Sequence, residues 1–413
     1  MTPAPDRVSG APAPTAVGAR RGLWALCVTV TTGYGVLFYA FPVLAPSITA
    51  DTGWSLASVT ALFSASQVVA GLAGIPVGRW VQARGPRPAM TAAAVVAAPA
   101  VAAIALAPNL WAFAATWLVA GAAMAGLFYP PAFAALTHWH GKGRVRALTT
   151  LTLVAGLAST VFAPLTAALE GMWGWRGAYL VLAVVLLVVV VPLHAFALPR
   201  GWTRDDVRRP ADPGREARAV MRSRAFLALT AALALGSFTV YAVVVNIVPL
   251  LEERGFGTTE AAWALGVGGV GQVIGRLAYA PVERRTGPVT RAAVVLAACS
   301  ATTLLLALVP GHLGLVLAIA VLAGAARGIL TLLQATAVSD RWGTGHYAVL
   351  NAVMHTPLML AIALAPWAGA ALAGPLGGYP AAFVALGALA ALGALTALAT
   401  RARSERATST ALS

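Results

Sequence analysis

The chain has 413 residues, 59% of them hydrophobic and 10% charged, with a mean hydropathy of +0.81. A soluble domain needs far more charge on its surface, so the composition excludes a water-soluble globular protein and points to lipid as the solvent. The net charge of +15 raises a nucleic-acid partner as an alternative, which the placement of the arginines argues against.

Residues 1–21 are rich in Pro, Ala and Arg and read as a disordered cytoplasmic tail. Apolar stretches able to cross a hydrocarbon core of about 30 Å then begin near Gly22, Ser55, Ala89, Leu110, Arg146 and Arg176, forming a six-helix unit over residues 22–198. The first stretch runs to about Pro46 with no convincing small-residue cleavage site, so it is expected to stay as a span and not to leave as a signal peptide. A polar linker follows over 199–223, with Asp205, Asp206, Asp212 and Glu216 interleaved with arginine. A second set of six begins near Arg224, Thr259, Arg291, His312, Tyr347 and Gly378, over 224–400, and residues 401–413 form a second cytoplasmic tail. Continuous Ala/Leu/Val runs differ from the alternating pattern of a membrane barrel. The expected fold is an all-α integral membrane protein with twelve transmembrane helices in two pseudo-symmetric six-helix bundles.

Two dipeptides support the duplication. Gly85-Pro86 returns as Gly287-Pro288 and Ala163-Pro164 as Ala365-Pro366, each 202 residues later. Internal repeats of this kind mark many transporter folds. Arginines and the single lysine, Lys142, fall in alternate loops, while the intervening loops hold Asp51, Glu170, Glu252, Glu253 and Glu260 beside only Arg176 and Arg254. That is the positive-inside pattern, which places both termini in the cytoplasm and the protein in the cytoplasmic (inner) membrane. Cys27 and Cys299 lie inside spans and suggest neither a disulfide nor a metal site. No cofactor is expected, and without a P-loop or a nucleophile constellation an enzyme has little support.

Charges inside spans are costly, by about 2.5–3.5 kcal/mol on insertion scales, and so mark function. Arg327 lies near the middle of the tenth span, with Thr331 and Gln334 on the same helical face. Its planar fork of donors suits an anionic group. The competing reading is an arginine satisfied by carbonyls of a broken neighbouring helix. His355, with Asn351 one turn earlier, is the second candidate, because histidine can carry a proton near neutral pH. A neutral histidine satisfied by its neighbours is as good a reading. Asn246, Tyr241, Tyr39 and Tyr129 are lesser candidates, each of which can simply bridge helices. Arg276 is read as snorkelling to the nearer membrane face.

The loop after the second span reads GIPVGRWVQARGPRP, and Gly78, Arg79, Gln82, Arg84, Gly85 and Arg87 in it resemble a form of the cytoplasmic loop of the major facilitator superfamily. Gln82 and Ala83 stand where that family usually has an acid and an arginine. The second copy keeps Arg285 and Gly287 but has Arg284 at the acidic position, with Glu283 one residue displaced. The resemblance implies a gate at this face, leaning here on Glu283 or on helix packing. VFAPLTAALEGMWGWRGAYL from Val161 is similar to the family's fifth helix and following loop, and the segments from Gly33 and Tyr241 resemble its monocarboxylate-transporter-like branch. The family's drug–proton antiporters usually keep a membrane-embedded carboxylate, which this chain lacks. What is implied is a monomeric secondary transporter of a small organic solute, lodged in membrane lipid. An organic anion such as a monocarboxylate is favoured, and any energy coupling would be to protons. Export of a neutral or amphiphilic compound, and a non-transporting sensor on the same scaffold, are the alternatives.

Overall fold

The computed structural model describes residues 15–202, 215–309, 311–343 and 347–400. The tails before Thr15 and after Thr400, and most of the linker with Asp205, Asp206 and Asp212, lie outside the described residues. Among the described residues there is no strand. Ten helices there are long and apolar enough to span a membrane. One of these, Arg146–Ala197, breaks at Gly174 (φ 65°, ψ 175°) and therefore holds two rods. A further 28-residue helix, Thr258–Arg285, is long enough to span, but glycines and end charges lower its hydropathy. This accounts for the twelve.

We number the rods α1 (Ala16–Thr52), α2 (Leu56–Arg84), α3 (Pro86–Ala105), α4 (Leu110–His140), α5 (144–173) and α6 (175–197). The second half holds α7 (Arg224–Glu253), α8 (Thr258–Arg285), α9 (Pro288–Leu308), α10 (Leu313–Thr336), α11 (Tyr347–Leu376) and α12 (Tyr379–Ala399). The first rod starts at Ala16, inside the segment expected to be a disordered tail. Thr15 explains this, since its hydroxyl caps the helix by accepting from the Gly18 amide at 3.2 Å.

Helices gain little from apolar burial against one another in lipid, so close backbone approach through small residues has to hold them. The α8–α10 pair shows this most fully. A methyl added at Gly271, Gly275, Gly324 or Gly328 would fall on a backbone carbonyl of the facing helix, from Val321, Ala325, Gly268 and Gln272 respectively. The α2–α4 pair has one such approach, Gly121 against the Ser66 carbonyl. The halves meet where α5 packs on α8 and α2 on α11. Thr160 donates to the Gly266 carbonyl at 2.8 Å, and the Trp367 amide donates to Ser64 Oγ at 3.0 Å.

The repeat survives in the ends of the rods. Asp51 and Glu253, 202 residues apart, each hold the start of the last rod of their half. Asp51 accepts from Trp175 Nε1 at 3.0 Å and pairs with Arg176 at 3.3 Å, and Glu253 accepts from the Tyr379 amide at 2.8 Å. The carbonyls of Ala105 and Ala307, also 202 apart, are free at the ends of α3 and α9. Arg176 satisfies the first, at 2.8 Å, and Arg254 the second. Burial among these groups pulls the Arg254 guanidinium below its ordinary pKa, and Glu253 opposes that shift.

Candidate functional site

Arg327 is 6% exposed, its face of α10 turned into the protein and not to lipid. Its Nη2 donates to Gln272 Oε1 of α8 at 3.3 Å, the long end of a hydrogen bond, and its Nε–H is buried with no acceptor. The α8–α10 glycine packing brings Gln272 this close. The stripe expected on α10 separates in three dimensions. Thr331 returns its hydroxyl to the Arg327 carbonyl at 2.9 Å, and Gln334 donates to Ser237 Oγ of α7 at 2.7 Å.

Beside Arg327 lies a cleft lined by α7, α8, α9 and α10. Among the described residues, Arg327 is the only charged one in its walls; Val243, Ile247, Leu265 and Leu306 supply much of the rest.

The candidate tyrosines gather nearby. Tyr39 ends a π-helical turn of α1, Gly35–Tyr39, a distortion often found at functional sites. Tyr129 begins the second part of α4, after an extended Phe128, with Pro130 and Pro131 fitting the new first turn. Phe38 meets Tyr39 and Tyr241 edge-on, at ring distances of 5.2 and 6.2 Å, joining α1 to α7 across the halves. Tyr241 lies within electrostatic range of Tyr39, Arg276 and Arg327, and Tyr129 within range of Arg276.

Arg276 does not snorkel. Its Nη1 reaches across from α8 to the Thr152 carbonyl of α5, and its Nε is buried without an acceptor. Sequence distance from the helix end suggested a short route to water. The α5–α8 crossing supplies a nearer carbonyl, one that also accepts from the Gly156 amide at 3.0 Å. The remaining candidates stand apart from this group. His355 Nδ1 contacts the Asn351 carbonyl of its own helix at 3.0 Å, and Asn351 Oδ1 is buried without a donor. Asn246 donates to Ala242 and Pro366 carbonyls at 2.8 and 3.1 Å, tying α7 to α11.

The two loops expected at the arginine-bearing face are almost entirely helix. Gly78, Arg79, Gln82 and Arg84 belong to α2, and the turn is Gly85 alone, at φ 85°. Trp202 packs tightly over it and donates to the Gln82 carbonyl at 3.0 Å. Arg87 donates to the Ala195 carbonyl near the end of α6. In the second copy α8 runs through Glu283, Arg284 and Arg285, and only Thr286 and Gly287 separate it from α9. The Glu283 side chain is exposed and lends only its carbonyl, to Arg291 at 3.4 Å. Among the described residues, the charge pair at this end is buried Arg291 with half-buried Asp340, which joins the start of α9 to the short helix after α10. Nothing in the spacing of those two residues signalled their pairing.

Twelve helical rods in two related halves, with a buried arginine beside an inner cleft, define the class of two-bundle membrane transporters. A sequence profile of the Major Facilitator Superfamily matches residues 25–356, and the chain belongs to that family. It is 29% identical over 371 residues to monocarboxylate transporter 13 of Bos taurus, a match covering 88% of this chain and 83% of the relative. Against monocarboxylate transporter 13 of Rattus norvegicus the identity is 27% over 368 residues, with the same coverage. Among solved structures, a bacterial homologue of the human lysosomal transporter Spinster, inward-facing and occupied, superposes with a TM-score of 0.70 at 17% identity, covering 94% of each chain. A variant of the nucleoside transporter NupG gives 0.75 at 12% identity, covering 92% of this chain and 100% of that one. At these identities the structures speak for the fold alone.

Proposed function

We propose that this protein carries a small organic anion, a monocarboxylate, by rocking its two halves about a midplane site. The reading takes residues 22–198 and 224–400 as the moving bundles, joined by a linker at 199–223, in a monomer with both termini in the cytoplasm. One observation carries it: Arg327 is permanently charged, buried in a span, with an Nε–H that has no acceptor and no part in the ion pairs among the described residues. A carboxylate arriving between Arg327 and the tyrosines of α1, α4 and α7 would fill that deficit with a charge-assisted bond. The relatives named as monocarboxylate transporters support the same substrate class. His355, beside the unpaired Asn351 oxygen, is our choice of group for proton coupling.

The test is thermal stabilisation of the purified protein by a panel of carboxylates, amino acids, sugars and amphiphilic drugs, repeated with Arg327→Gln. Ligand at 100 times Kd stabilises by about 2.7 kcal/mol. A carboxylate shift that vanishes in the variant supports the reading. The apolar walls of the cleft favour a second one, export of neutral or amphiphilic compounds, and a shift confined to those compounds would select it.

A further inference from the structure

The cleft next to Arg327 lies within one half of the protein, among α7, α8, α9 and α10, and not on the plane between the halves. Its chemistry is lopsided. At one side stands a guanidinium with an unmet donor. The other walls are hydrocarbon, from Val243 and Ile247 of α7, Leu265 of α8 and Leu306 of α9. Two hydroxyls are present, Thr302 and Thr303, and both protons are committed to carbonyls of their own helix, Ala298 and Cys299, at 2.8 Å each. Beyond the arginine, those walls therefore offer an incoming molecule no free hydroxyl or amide, only the weakly donating thiol of Cys299. A ligand carbonyl or second carboxylate placed there would give up its water for little, while a methylene chain would lose only water it is better without.

We infer that this cleft is the tail subsite of the transported anion, and that it selects monocarboxylates with a short, unsubstituted hydrocarbon tail over those with an acceptor group in the tail. The inference rests on the anion reading of Arg327, and adds to it where the tail goes and what the tail must lack. Selectivity is then set by α7 and α9 of one half, on residues that make no contact with the carboxylate.

Valerate and levulinate test this directly. The two have the same chain length, and levulinate carries a carbonyl at its fourth carbon, where the cleft provides no donor stronger than the Cys299 thiol. Titrated onto the purified full-length protein by thermal shift or calorimetry, valerate should bind at least tenfold tighter than levulinate, and glutarate should be weaker than either. Val243→Phe, which fills the cleft, should weaken valerate at least tenfold and leave acetate, with almost no tail, unchanged. Leu306→Ala, which widens it, should move the preference toward heptanoate, and guards against a poorly folded Val243→Phe. If valerate and levulinate bind equally, both lost in Arg327→Gln, the tail subsite is overturned and the anion site stands. If no carboxylate binds, or if binding ignores Arg327→Gln, the anion reading itself falls.

Discussion

The α8–α10 pair and the α2–α4 pair occupy matching places in the two halves, and they are held together differently. Ser66, where α2 touches α4, and Gly268, where α8 touches α10, stand 202 residues apart. In the second half the contact continues along the helices through Gly271, Gly275, Gly324 and Gly328, backbone against backbone. In the first half it is a single touch at Gly121, and the polar residue beside it, Gln67, finds only the Met124 sulfur at 3.4 Å. The difference shows what glycine does here besides allowing close packing. It sets the Gln272 amide and the Arg327 guanidinium within reach of each other, so the half with the tighter pair carries the buried charge.

Substitutions can break that comparison, in a descending order of effect. Gly271→Leu drives a side chain into a carbonyl that cannot move aside, and should cost more than about 3 kcal/mol, seen as loss of monodisperse protein on size exclusion. The control for that variant, outside the ranking, is Gly74→Ala on α2, where an added methyl meets nothing; it should lose no stability and gain up to about 1 kcal/mol of helix propensity. Gln272→Leu removes the one acceptor of Arg327 seen here, with an expected loss of about 1–3 kcal/mol and a changed affinity for carboxylates. Gln67→Leu, its counterpart in the looser pair, should cost less than about 1 kcal/mol because a thioether is a weak acceptor. Equal losses in the two glutamine variants would show that the halves are energetically alike despite their packing. The smallest effect is expected for His355→Asn, outside both pairs. It should flatten any dependence of transport on pH, because histidine can carry a proton, without altering the folded yield. A retained pH profile would place proton coupling elsewhere.

The rods themselves were legible, because a spanning helix is written locally. Leu110, Arg224 and Tyr347 begin rods where the apolar runs begin, and most other starts differ by a few residues. Ala16 was missed because composition was weighed there above the cap at Thr15. Helical spacing put Thr331 and Gln334 on the face of Arg327, but a face is not a partner. Ser237 on α7 captured the glutamine, and the helix backbone captured the threonine. The Arg276 bond to Thr152 and the Arg291 pair with Asp340 were invisible for the same reason. Each depends on a crossing between distant segments, which no local pattern encodes. One signal was present and unread. Gly271 and Gly275, and Gly324 and Gly328, are GxxxG pairs, the pattern of helices that approach closely in lipid.

The two arginine caps bear on how such a chain diverges after its founding duplication. Ala105 and Ala307 present the same unmet acceptor in each copy, and that need follows from where a helix stops, so it is inherited with the fold. The donor comes from the first turn of α6 in one copy and from just beyond α7 in the other. Geometry preserved the vacancy while the occupant changed address. Two halves of a repeat can therefore drift apart in sequence, and take on separate duties, without either losing the joint that closes that end.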